Sequence, residues 1–96
     1  MATFISLVSF TDQGIRNVKD SPDRFVAFKA MAEQLGLSVK AAYWTVGNHD
    51  MVLIVEGPED AATTLLLKVG TLGNVRTQTL RGYSEQEFRG LLGGLR

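Results

Sequence analysis

The sequence predicts an α+β fold, a four-stranded antiparallel sheet with two helices against one face. Three observations carry this. Strand-type alternation and helix-type spacing succeed one another in the order β-α-β-β-α-β. Both main helical segments open on a proline among polar residues, Ser21-Pro22-Asp23 and Gly57-Pro58-Glu59-Asp60. The first three strand segments carry apolar side chains on both faces, the pattern of strands covered on both sides.

The first strand is expected over residues 3–10, a β-branched and aromatic run with nothing to break it. Alternation sends Phe4, Ser6, Val8 and Phe10 to one face and Ile5 and Leu7 to the other. Thr11 then caps a short helical turn, with Asp12 near its positive end. Ser21 is expected to cap the first main helix, with Pro22 at its first position. Phe25, Phe28, Met31, Ala32 and Leu35 recur at three- and four-residue spacing and form one apolar stripe. Gly36 can end that helix in the left-handed conformation.

A second strand is expected over residues 39–46. Simple alternation puts Val39, Ala41 and Tyr43 on one face and Ala42, Trp44 and Val46 on the other. The third strand, residues 51–56, alternates Met51, Leu53 and Val55 with Val52 and Ile54. Between them Gly47-Asn48 accepts positive φ and is expected to close a tight hairpin. Ala61, Ala62, Leu65, Leu66 and Val69 form the buried side of a second helix. A turn over residues 70–74 follows, then a polar last strand over residues 75–81. In that strand Val75, Thr77 and Thr79 face one way, and Arg76, Gln78 and Leu80 the other. Ser84-Glu85-Gln86-Glu87 matches a capping box, and Phe88, Leu91 and Leu92 give the terminal helix an apolar edge.

This order is the ferredoxin-like arrangement with an added C-terminal helix. Two helices can cover only one sheet face, so the other apolar face is expected to be an interface. The simplest cover is a second copy related by a two-fold axis, making the chain at least a homodimer.

Composition narrows the function. The 96 residues suit one domain, residues 1–96, with a thin core. Ten basic side chains balance ten acidic ones, which argues against non-specific nucleic-acid binding. The absence of cysteine removes thiol chemistry, disulfides and zinc fingers, and suits the cytoplasm. The N-terminal run lacks the basic start of a secretory signal, and no apolar stretch is long enough to span a bilayer. No cofactor is called for. The glycines make no phosphate loop, because the Lys-Ser/Thr ending is missing, and no serine sits in a nucleophile elbow.

The chain resembles the GYD-domain family. The stretches that carry the resemblance are Phe4-Ile5-Ser6-Leu7-Val8-Ser9-Phe10-Thr11-Asp12-Gln13-Gly14-Ile15-Arg16-Asn17, Ala42-Tyr43-Trp44-Thr45-Val46-Gly47, Asp50, and Leu72-Gly73-Asn74-Val75-Arg76-Thr77-Gln78-Thr79-Leu80. The resemblance implies a dimeric α+β barrel of ferredoxin-like subunits and specifies no activity. One departure stands out: in Gly47-Asn48-His49-Asp50, His49 occupies the place of the family's hairpin tyrosine.

Four residues are candidates for ligand binding. Arg76 can attract an anion, Tyr43 can donate a hydrogen bond, and His49, the only histidine, titrates near neutral pH beside Asp50. Each has a structural alternative. Asp50 can bond the turn backbone with His49 idle in solvent, and aromatics such as Tyr43 and Trp44 commonly serve packing or interfaces. Arg76 with Thr77 and Thr79, and Arg16 with Asn17, can equally bind an anion or form intersubunit salt bridges. A lone histidine offers no metal cage within one chain. Two functional classes remain. The first is a small oligomeric ligand-binding or assembly module. The second, from analogy with other dimeric α+β barrels, is a cofactor-independent monooxygenase- or isomerase-like enzyme.

Overall fold

The computed structural model describes residues 1–95. Its elements are β1 (Thr3–Phe10), α1 (Asp12–Arg16), a 3-10 turn (Val18–Asp20), α2 (Ser21–Gln34), β2 (Ser38–Trp44), β3 (Met51–Glu56), α3 (Glu59–Thr71), β4 (Val75–Gly82) and α4 (Glu85–Leu92). The strands form one antiparallel sheet in the order β2-β3-β1-β4. The ferredoxin-like expectation is met, with β2 and β4 at the edges.

Register assigns the two faces. Phe4 lies opposite Val55, Ser6 opposite Leu53 and Val8 opposite Met51. All six are buried under the helices. Between them Ile5 lies opposite Ile54 and Leu7 opposite Val52, all four half-buried on the open face. Phe28 and Ala32 of α2, Ala62 and Leu65 of α3, and Leu37 complete the core. Phe25, Met31 and Leu35 pack around it, as the helical stripe requires. The hydroxyl of the buried Ser6 is hydrogen-bonded to that of Thr79 at 2.8 Å, so the core's one sheet hydroxyl is satisfied.

Strand β2 departs from simple alternation. It ends at Trp44, and its register against β3 shifts between Val39 and Ala41. This bulge adds one residue and reverses the parity of what precedes it. Val39, Ala42 and Trp44 therefore lie opposite the buried Val55, Leu53 and Met51, while Ala41 and Tyr43 pair with Ile54 and Val52 on the open face. Val39 thus sits on the face opposite to Ala41 and Tyr43, against the expectation.

The start of α2 also differs. The 3-10 turn runs straight into the helix, so Ser21 already has helical backbone (φ −56°, ψ −43°) and Asp20 precedes the helix without a side-chain cap. The Ser21 hydroxyl instead accepts the Trp44 indole N–H at 3.0 Å. Thr11 does cap α1, accepting the Gly14 N–H at 3.1 Å. At α3, Pro58 occupies the cap position rather than the first turn, and Glu59 and Asp60 face the positive helix end. That helix runs to Thr71, two residues into the expected turn.

The link from β2 to β3 is a six-residue loop rather than a two-residue turn. Gly47 has φ +140°, and no residue other than glycine has positive φ among the described residues, so Asn48 does not take the conformation a tight Gly-Asn hairpin needs. Side chains close the loop instead, as set out below. Finally, α4 has both halves of its capping box, Glu87 N–H to Ser84 Oγ at 3.1 Å and Ser84 N–H to the Glu87 carboxylate at 2.8 Å. Every residue of α4 is exposed. The radius of gyration is 14.6 Å, against about 12–13 Å for a compact chain of this length, which fits a helix standing away from the body.

Candidate functional site

Asp50 is the structural centre of the hairpin end. Its carboxylate accepts the Phe10 N–H at 2.8 Å, its own N–H donates to the Val8 carbonyl at 2.8 Å, and its carbonyl accepts the Thr45 N–H at 2.8 Å. The Thr45 hydroxyl donates to the His49 carbonyl at 2.6 Å. Asp50 therefore joins the loop to the end of β1. A short acceptor side chain at a strand end does this well, because it satisfies a ladder N–H that has lost its partner. His49 is half-buried in the same loop, and its Nδ1 is enclosed without a hydrogen-bond partner.

The other two candidates lie elsewhere. Tyr43 is 64 % exposed on the open face of the edge strand β2. Arg76 is exposed on the same face of the opposite edge strand, β4, opposite Ser9. Three strand spacings separate β2 from β4, about 14 Å. One chain therefore does not gather Tyr43 and Arg76 into a single pocket. Arg76 lies opposite Ser9, and no ion pair joins it to Asp50 among the described residues. Thr77 and Thr79 point to the helix side, so alternation separates them from Arg76. Arg16 and Asn17 lie exposed on and just after α1, where the Asn17 amide donates to the Gln13 carbonyl at 3.0 Å. Trp44 packs edge-on against Phe25, with centroids 5.8 Å apart and planes at 75°, besides its bond to Ser21.

A second feature lies on the covered side. Between α2, α3 and the sheet there is a cavity of about 70 Å³, lined mainly by Phe25, Phe28, Met31, Leu66, Val69 and Val75. Arg24 is the one ionisable residue among those that line it, with Ser21, Asn74 and Thr77 as polar neighbours, and the surface they present is almost wholly apolar. The Arg24 guanidinium donates to the carbonyls of Asn17 at 2.8 Å and Gly14 at 3.4 Å. The sequence carries a signal for this placement. Ser21, Arg24, Phe25, Phe28 and Met31 keep helical spacing, so Arg24 falls within the apolar stripe. None of Tyr43, His49, Asp50 or Arg76 lines the cavity.

Among the described residues no group of three or more acidic or histidine side chains is placed to hold a metal ion. No helix is long and apolar enough to cross a membrane. The carboxyl of the exposed Glu87 is held below the ordinary glutamate value, chiefly by the Ser84 backbone N–H.

The GYD domain model matches residues 4–92. The chain belongs to the GYD-domain family. This GYD domain is also similar to a protein of Thermus thermophilus named glutamine synthetase and cystathionine beta-lyase binding protein. The two are 37 % identical over 83 residues, covering 83 % of this chain and 86 % of the relative. The family resemblance carried by the β1–α1 segment, the hairpin and β4 is thus confirmed over nearly the whole chain.

Proposed function

We propose that this GYD domain is a protein-binding module that assembles through its open sheet face and holds partner proteins on the resulting oligomer. The observation that carries this reading is the half-exposed apolar surface of Ile5, Leu7, Val52 and Ile54, continued by Tyr43 and Leu80 toward the two edges. Apolar surface of this kind in a small domain gains free energy when a second surface removes it from water. A second copy supplies a matching face by symmetry. Tyr43 and Arg76, at the two edges, then act as the rim, contributing a hydrogen-bond donor and a positive charge to whatever the face meets. His49 and Asp50 lie at the hairpin end of that rim.

The partners to try first follow from the relative's name: glutamine synthetase and cystathionine β-lyase of the source organism. A cytoplasmic setting fits a cysteine-free chain and such partners. Protein binding has more support than the enzymatic alternative. The cavity between sheet and helices has one ionisable group in its wall, Arg24, which stays protonated and so provides no base.

The test has two parts. Light scattering at micromolar concentration should give a mass at least twice the 10.5 kDa of the chain. Purified glutamine synthetase or cystathionine β-lyase should then bind the immobilised domain with saturation. A monomer mass refutes the assembly, and no saturable binding to either enzyme refutes the partner assignment.

A further inference from the structure

The cavity between α2, α3 and the sheet is a separate feature, and it does not depend on the protein-binding reading. Helical spacing assigns Phe25, Met31, Leu66 and Val69 to the buried stripes of their helices, yet all four are only half-buried and all four line this space. The surface presented to the cavity is almost wholly apolar. Arg24 brings no charge to it, because its guanidinium is directed at the Asn17 and Gly14 carbonyls. Protein interiors are close-packed, and voids larger than a water molecule are few. At about 70 Å³ this one has room for about five waters. A water settles in such a space only with roughly two to four polar partners, which the apolar wall does not offer. An apolar molecule that takes the place of water there gains free energy.

We infer that this cavity is a binding site for small uncharged apolar molecules, no larger than a single ring. An apolar cavity of about 150 Å³ stays dry and binds benzene or xenon, and this one is smaller, which sets the size limit. The half-buried Phe25, Met31, Leu66 and Val69 leave its lining within reach of solvent, so a ligand has a way in. Phe25, Phe28 and Met31 suit an aromatic ring through edge-to-face and sulfur contacts. A charged or strongly polar ligand is a poor fit, since its polar atoms would leave water without gaining a hydrogen bond.

Benzene and pyridine, rings of one size, test the assignment when each is titrated into the unmodified protein and followed by methyl NMR. Benzene should shift the methyl signals of Met31, Leu66 and Val69 with saturation, while those of Ile5, Leu7, Val52 and Ile54 on the open sheet face stay in place. Pyridine at neutral pH should bind about tenfold more weakly, because its ring nitrogen finds no donor in the wall. Benzene should also raise the melting temperature, as a ligand of the folded state must. Val69→Phe should put its own ring into the space and remove both benzene effects, with circular dichroism confirming the fold. Equal affinity for the two rings would overturn the proposal, as would benzene shifts confined to the open face or no shift at all. Unchanged benzene binding in a folded Val69→Phe would do the same. The comparison of the two rings needs no variant, so it decides the matter even if Val69→Phe does not fold.

Discussion

Leu53 and Ile54 are neighbours in β3, similar in size and apolarity, and they meet opposite surroundings. Leu53 lies under the helices, 6 % exposed, opposite Ser6 and Ala42. Ile54 points the other way, half-buried among Ile5 and Ala41 with nothing above it in the chain. The same contrast runs along β1 between Val8 and Leu7. The chain supplies two helices for one face and none for the other, although it spends apolar residues on both. Burial on the first face is therefore a property of the single chain. On the proposed assembly, burial on the second would depend on a partner, and so on concentration.

The largest expected effects separate these two faces. Leu53→Ala should lower the unfolding free energy by about 2–5 kcal/mol at any protein concentration, measured by urea denaturation. Ile54→Asp should leave the single chain folded by circular dichroism and reduce the mass seen in light scattering to that of one chain. If Ile54→Asp unfolded the domain outright, or left the mass unchanged, the division into a self-covered face and a partner-covered face would fail.

Gly14→Ala probes how tightly the covered side is closed at its end. A Cβ there would sit 1.9 Å from the Asn74 carbonyl oxygen, where β4 starts, and the backbone would have to move. Overpacking of this kind should cost about 1–3 kcal/mol, read as a lower denaturation midpoint. The hairpin end offers the contrast. At Gly47 a Cβ meets no atom within 4 Å, but φ is +140°. Gly47→Val should therefore cost on the order of 1 kcal/mol through backbone strain alone. A melting temperature equal to that of the unmodified protein would count against this.

The smallest effect concerns α4, which belongs to neither face. Glu87 has its folded-state pKa lowered, chiefly because the carboxylate accepts the Ser84 N–H. A depressed carboxylate pKa contributes stability that is present above the ordinary glutamate value and is lost as pH falls through the lowered one. Fraying of α4 should accordingly begin only in that acidic window, visible as loss of helical chemical shifts for residues 85–92 while the sheet signals stay in place. Glu87→Gln should remove the pH dependence. Fraying at the same pH in that variant would show that another group is responsible.

Much of this molecule was legible in one dimension because the signals are local. Alternation in β1, β3 and β4, the three- and four-residue spacing of α2, the Thr11 cap and the Ser84–Glu87 box depend on neighbours within a few residues. The candidate site was less legible. The bonds of Asp50 to Phe10 and Val8 link segments about forty residues apart, which its residue type allowed but did not specify. Tyr43 and Arg76 were both candidates by residue type, and strand order puts them on opposite edges.

What the sequence by itself determined was the order of elements, the apolar character of both sheet faces and the membership of the chain in its family, since each rests on residue type and spacing alone. What only the tertiary structure decided was where distant residues meet. The bulge at β2 transferred Val39 to the helix side. A 3-10 turn took over the start of α2 and left Ser21 free to accept the Trp44 indole N–H. The packing of α2 over the sheet set Arg24 in the wall of an apolar cavity. These outcomes depend on contacts between segments far apart in the chain, where a one-residue change in register or a single helical turn changes which side chain faces which, and local propensity is too weak to choose.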